Sequence, residues 1–107
     1  MSITLQEYQK QVSIARTMIE ESLLCSDKGA RTITLGGEKG PKIIRQDAEI
    51  LLERLKKHQT FQRMQEVEDD LRKESLPAII CSRSSFWFGF QQTVYEIEME
   101  SHLSMGI

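Results

Sequence analysis

The side chains that could serve as a general base or bind a metal ion are few. Histidine is the usual general base near neutral pH, and the chain has two, His58 and His102. No serine, cysteine or carboxylate stands at a spacing that would join either histidine into a catalytic triad or a metal site. We therefore expect both histidines at the surface, and we expect no catalytic residue, no metal ion and no cofactor.

Two further segments contain residue types found in chemical sites. The Gly36-Gly37-Glu38-Lys39-Gly40 loop lacks the Lys-Ser/Thr pair of a phosphate-binding loop and joins two predicted strands, so it indicates a hairpin loop. The acidic run over residues 66–70 resembles a pair of acid-base carboxylates. Because a helix would distribute these carboxylates over more than one face, we interpret the run as a solvated surface.

Length and composition limit the architecture. The chain has 107 residues, of which 39% are hydrophobic and 28% charged, which predicts one domain over residues 1–107 with one modest core. No stretch is long and apolar enough to span a bilayer, and the N-terminus lacks the pattern of an export signal. Cys25 and Cys81 are far apart, so we expect reduced thiols, one or both packed as small apolar side chains.

The first half of the chain predicts a helix, a β-hairpin and a second helix. Thr4 and Glu7 have the spacing of a capping box, and the apolar positions that follow predict a helix from about residue 5 to 24. Alternating residues predict short strands over 31–35 and 42–46. Asp47 is a plausible N-cap for the second helix, which extends to about Lys57.

The second half is more varied. Residues 61–76 keep a helical period, as a continuation of the second helix or as a third one, and Pro77 ends it. Residues 77–100 indicate β structure, with a strand over 78–81 and an aromatic strand over 86–90, and residues 101–107 form a loose tail. The expected fold is α+β: a helix, hairpin, helix core over 3–60, a further helix, and a C-terminal antiparallel aromatic β segment.

The run Phe86-Trp87-Phe88-Gly89-Phe90 is the most unusual feature of the sequence. It holds four of the seven aromatic residues and would make both faces of a strand apolar. Either the strand is covered inside the protein, or one face binds a partner. Stacking of nucleic-acid bases is a third, less favoured use, because the neighbouring charges are acidic.

Charge is divided along the chain. Residues 27–57 carry eight basic and five acidic side chains, whereas residues 58–107 carry four basic and eight acidic ones. Glu96, Glu98 and Glu100 alternate with apolar residues and form an acidic ladder if this segment is a strand. Opposite charges in the middle and the C-terminal half favour head-to-tail contacts between copies of the protein, although solvated helix faces explain the same charges.

The order helix, hairpin, helix over residues 3–60 resembles the lambda W type of small bacteriophage head-tail joining proteins. The similarity lies in the opening residues 1–7, the hairpin segments 31–37 and 42–47, and the helix over 48–55. It implies a ring of subunits below the portal. Those proteins are usually shorter and end in a basic tail, whereas this chain continues through an acidic helix and the aromatic segment.

These observations lead to a non-enzymatic phage assembly protein, a connector-like adaptor that forms an oligomeric ring in the host cytoplasm or the virion. Its partners would be its own copies and neighbouring structural proteins, with no membrane, and nucleic acid is a less favoured partner. The alternative is a small phage or mobile-element inhibitor that binds a host protein. The predicted interface comprises Phe86, Trp87, Phe88, Phe90, Lys39, Lys42, Arg45, Glu96, Glu98 and Glu100.

Overall fold

A computed structural model describes residues 3–77 and 85–105, with side chains described as far as Ser101. Within these ranges the chain forms four helices and one two-stranded antiparallel sheet. The elements in chain order are α1 (Leu5–Cys25), β1 (Thr32–Thr34), β2 (Lys42–Ile44), α2 (Arg45–Thr60), α3 (Met64–Lys73) and α4 (Ser85–Met105). The predicted strand over 78–81 lies outside the described residues.

The predicted helix, hairpin, helix order is confirmed. Thr4 caps α1, since its side-chain oxygen accepts a hydrogen bond from the backbone N–H of Glu7 at 3.1 Å. The N-terminal half of α1 lies beside the C-terminal end of α2, where Gln9 Nε2 donates to the carbonyl oxygen of Phe61 at 2.8 Å. The two helices are therefore antiparallel, and their apolar stripes form the centre of the core.

The hairpin covers one end of this helix pair. Ile33 pairs with Ile43 and both are buried, while the outward pairs are Thr32 with Ile44 and Thr34 with Lys42. The connecting loop needs glycine at Gly36, which has a φ of +74°.

The second helix begins earlier than predicted. The N-cap assignment to Asp47 is wrong, because β2 leads directly into α2 at Arg45 and Ile44 occupies the cap position. Asp47 instead lies in the first turn, where a carboxylate is favoured by the helix dipole. The sequence left open whether residues 61–76 continue the second helix or form a third one. They contain a separate helix, because α2 ends at Thr60 and α3 begins at Met64.

The aromatic segment is a helix, so the predicted C-terminal β segment is wrong for residues 85–100. The buried side chains recur at intervals of three and four, which is helical spacing: Trp87, Phe90, Val94, Ile97 and Ser101. The predicted loose tail from Ser101 is also wrong as far as Met105, the last residue of α4.

Helix α4 is held against both halves of the fold. Its first turn places Trp87 beneath the hairpin loop, where the indole Nε1 lies 3.3 Å from the position of a Cβ at Gly36. Near its other end, Ser101 is buried and accepts a hydrogen bond from Arg72 Nε of α3. Within the described residues the helix therefore reaches from the hairpin to α3, and its outer face is left open.

Candidate functional site

The outer face of α4 carries three large apolar side chains. Phe88 is 62% exposed, Tyr95 55% and Met99 42%. Positions seven and eleven residues apart fall within about 40° of one another around a helix, so the three form a single ridge about 16 Å long. We call Phe88, Tyr95 and Met99 the α4 ridge.

A groove runs along one side of this ridge. Its walls come from α4 and from the segment that follows α3, and it is lined by Ser75, Leu76, Pro77, Phe90, Gln91, Val94, Tyr95 and Glu98. The groove measures about 190 Å³, which is smaller than the roughly 300 Å³ at which ligand pockets begin. Its size suits one or two inserted side chains of a protein partner better than a cofactor.

Carboxylates flank the α4 ridge. Glu98 lines the groove beside Pro77, and Glu96 lies about 160° away around the helix, on the far side of the ridge. Helix α4 contains three glutamates and no lysine or arginine. The ridge therefore has an acidic border on both sides, and a partner with basic groups around an apolar centre would match it.

A second candidate is a buried polar network that links three helices. The ring of His58, on α2, is fully buried: Tyr8 Oη of α1 lies 2.8 Å from Nδ1, and Asp70 Oδ2 of α3 lies 2.8 Å from Nε2. The expectation that both histidines lie at the surface is wrong for His58, and Asp70 does not belong to a solvated acidic surface. The side chain of His102 lies outside the described residues.

Two basic side chains complete the network around Asp70. Arg54 donates to Oδ2 at 2.8 Å and Lys57 to Oδ1 at 2.9 Å. Burial alone would raise the pKa of Asp70, but the hydrogen bonds from Arg54, His58 and Lys57 outweigh it and hold that pKa well below its usual range. Arg54 also donates to the carbonyl oxygens of Glu74 and Ser75, which joins the end of α3 to α2.

The charge on Asp70 fixes the proton positions in the network. An ionised carboxylate only accepts hydrogen bonds, so His58 Nε2 carries the hydrogen and Nδ1 accepts from the Tyr8 hydroxyl. Burial lowers the pKa of His58 despite the hydrogen bond to Asp70, so the ring is neutral. Burial also raises the pKa of Tyr8, so its hydroxyl stays protonated.

This network contains the residue types of a proton relay, but it is closed to substrates. Tyr8 and His58 have no exposed surface, so no substrate atom can reach either side chain in this conformation. Each polar atom of the His58 ring already has a partner. The arrangement therefore cross-links α1, α2 and α3, and the chemistry open to a partner lies at the α4 ridge.

The residues predicted at the interface divide between core and surface. Trp87 and Phe90 are buried, Phe86 is half-buried and Phe88 is exposed. The sequence left open whether the aromatic run is covered inside the protein or binds a partner. Both hold in part, because one helix face is covered internally and another faces outward.

The predicted basic and acidic residues also separate. Lys39 lies in the hairpin loop and Lys42 on the outer face of the sheet, both exposed. Arg45 is bound within its own chain, to the Ser26 hydroxyl and to the carbonyl oxygens of Asp27 and Ala30. Glu96 and Glu100 line a groove between α4 and α1, apart from Glu98, so the predicted acidic ladder is not formed.

Neither a metal cluster nor a packed thiol is seen in the described part of the chain. Over residues 3–77 and 85–105, no group of three or more histidine, cysteine or acidic side chains could hold a metal ion. Cys25 is a free, exposed cysteine, so it is not a packed apolar thiol. Cys81 lies outside the described residues.

Comparison with known proteins adds no relative. No protein-family model, curated protein or solved structure matches the chain. None of the helices in the described ranges is long and apolar enough to cross a membrane.

Sequence reasoning missed several of these residues, although a signal was present for some. Tyr95 and Met99 follow Phe88 at helical intervals of seven and four, a spacing hidden by the strand interpretation. His58 continues the apolar stripe of Leu51 and Leu55, a position that predicts burial. Nothing in the sequence shows that Tyr8, His58 and Asp70 meet, since they belong to three different helices.

Proposed function

We propose that this protein is a non-enzymatic assembly protein that joins protein subunits through the α4 ridge. The observation that carries the proposal is the alignment of Phe88, Tyr95 and Met99 on one open helix face with carboxylates on both sides. Clusters of exposed apolar side chains with a polar border are typical of protein-binding surfaces.

The energetics favour a ridge of this type as a binding site. Aromatic side chains that enter a partner's pocket are the usual anchors of an interface, and truncation of one costs on the order of 2 kcal/mol. Phe88 and Tyr95 can both act in this way without unfolding the domain, because neither belongs to the buried core. The small groove beside Tyr95 offers a complementary recess for a side chain of the partner.

The type of assembly that we propose is a connector-like ring of a tailed bacteriophage. Two features support it: the helix, hairpin, helix order over Leu5–Thr60 and the opposite charges of the middle and C-terminal segments. In this proposal α3 and α4 are additions to the shorter connector pattern and supply the contact surface. Closed rings form when one surface of a subunit binds a different surface of the next.

The test is the mass in solution of three proteins, measured by light scattering over a concentration series. The wild type should form a closed oligomer, and Phe88→Asp should be monomeric with an unchanged circular dichroism spectrum, because it places a charge on the open ridge. The matched control is Ile14→Asp, which makes the same type of change at an exposed site on α1.

Two outcomes would count against the ring. A wild type that is monomeric at high micromolar concentration contradicts self-assembly. If that monomer also forms a defined one-to-one complex with a host enzyme, and Phe88→Asp abolishes the complex, the protein is the host-directed inhibitor instead.

A further inference from the structure

The charges around the α4 ridge limit which surface can cover it. A symmetric contact between two α4 helices would offer Glu96 and Glu98 no basic side chain, because α4 contains no lysine or arginine. Such a contact lacks the charge complementarity that favours an interface. The occupant should therefore be a different surface, with an apolar centre and basic groups.

The outer face of the hairpin has these properties. Ile44 is 48% exposed there, Lys42 is exposed on the same face, and the facing strand contributes Thr32 and Thr34. Thr32 and Thr34 also line a groove with Glu21, Asp27 and Glu38, so the basic part of this face is the β2 side, at Lys42.

We propose that the α4 ridge of one copy binds the outer face of the β1–β2 hairpin of a second copy, with Ile44 against the ridge and Lys42 beside Glu98. This inference rests on the proposed assembly function and adds the partner surface. Since ridge and hairpin face are separate surfaces of one chain, each copy can bind two neighbours, so the contact repeats head to tail.

The hairpin also departs from the sequence prediction at Arg45, which was expected at the interface. Arg45 is held by Ser26, Asp27 and Ala30 of its own chain and is not available to a neighbour. Those bonds join the start of α2 to the loop after α1. Arg45 therefore stabilises the base of the hairpin, and Lys42 is the cation that its outer face presents.

The experiment is a reciprocal charge exchange, with assembly measured by sedimentation velocity at low salt. Lys42→Glu and Glu98→Lys should each raise the dissociation constant of the oligomer at least tenfold. The double variant should recover most of the loss, because it restores an opposite pair. Lys10→Glu, an equal charge reversal beside exposed Ile14 on α1, is the matched control and should assemble like the wild type.

The possible results separate this inference from the proposed function. If the wild type assembles and Phe88→Asp abolishes assembly, but Lys42→Glu has no effect, the ridge is an interface and the hairpin is not its partner. If the two single variants weaken assembly and the double variant does not recover, the Lys42–Glu98 pairing is wrong. A wild type that never assembles contradicts both.

Discussion

Replacement of Asp70 by asparagine tests whether the buried network holds the three helices together. The substitution keeps the side-chain volume and removes the charge that organises Arg54, Lys57 and His58. An asparagine can accept through one oxygen only, and its amide group would face a donor. Asp69→Asn is a matched control, because Asp69 is the neighbouring residue and lies half in solvent.

The magnitude follows from how exposed each partner is. The side chains of Asp70 and Arg54 are 11% and 13% exposed, so this ion pair counts as largely buried, whereas Lys57 is 59% exposed and contributes little. Hydrogen bonds to charged groups contribute about 1.5–3 kcal/mol each, and breaking a buried ion pair costs about 3–5 kcal/mol. We expect Asp70→Asn to lower the free energy of unfolding by about 3 kcal/mol.

The assay is urea denaturation at pH 7, followed by circular dichroism. Asp70→Asn should shift the midpoint to lower urea without a change in slope, and it should lower the melting temperature by roughly 12 °C at about 4 °C per kcal/mol. Asp69→Asn should stay within about 0.5 kcal/mol of the wild type. A loss below about 1 kcal/mol for Asp70→Asn, or equal losses for both variants, would refute the reasoning.

Three further predictions concern the same core and its hairpin. Since the pKa of His58 is lowered on folding, the unfolded chain binds more protons below about pH 6.5, and stability should fall from there as the pH drops. The fall should be less steep in His58→Gln, and equal slopes in the two proteins would rule the effect out. Tyr8→Phe leaves a buried ring nitrogen without its donor and should cost about 1–3 kcal/mol in urea denaturation; a neutral result would show that the hydroxyl bond contributes nothing. Gly40→Ala would place a Cβ 1.6 Å from a backbone carbonyl oxygen and should lower the free energy of unfolding by more than about 2 kcal/mol. Gly29→Ala has open space around the new Cβ and should be close to neutral. Similar melting temperatures for the two variants would contradict the loop geometry.

The first sixty residues were predictable because their signals are local. A capping residue, a helical stripe and a pair of alternating segments around glycines each act over a few positions, and Thr4, Ile33 and Ile43 lie where these rules place them. The start of α2 was misplaced because Asp47 suits both the cap and the first turn. Only the direct junction of β2 with α2 distinguishes the two.

The C-terminal helix was missed because residue type and residue spacing disagreed. Aromatic residues favour strands, and alternation of Phe86, Phe88 and Phe90 fits a strand equally well. Contacts with the hairpin loop and α3 decide in favour of the helix, since that spacing buries Trp87 and Phe90 together. Strand propensity depends strongly on context, and here tertiary packing overrides it.

The candidate site could be predicted only in part for the same reason. Phe88 was identified as an interface residue, but its neighbours on the ridge become visible only when the segment is known to be helical. The meeting of His58 with Asp70 depends on the break between α2 and α3, which turns the chain back on itself. No pattern of neighbouring residues in a single sequence indicates such a contact.

The central claim, that the α4 ridge is covered on assembly, can be measured directly by hydroxyl-radical footprinting at low and high protein concentration. The rates of oxidation of Phe88, Tyr95 and Met99 should fall together as the concentration rises. Phe61, half-buried where α2 ends and at the opposite end of that helix from the hairpin, should show no change. Equal oxidation of the three ridge residues at every concentration, in a sample whose mass increases, would contradict the claim.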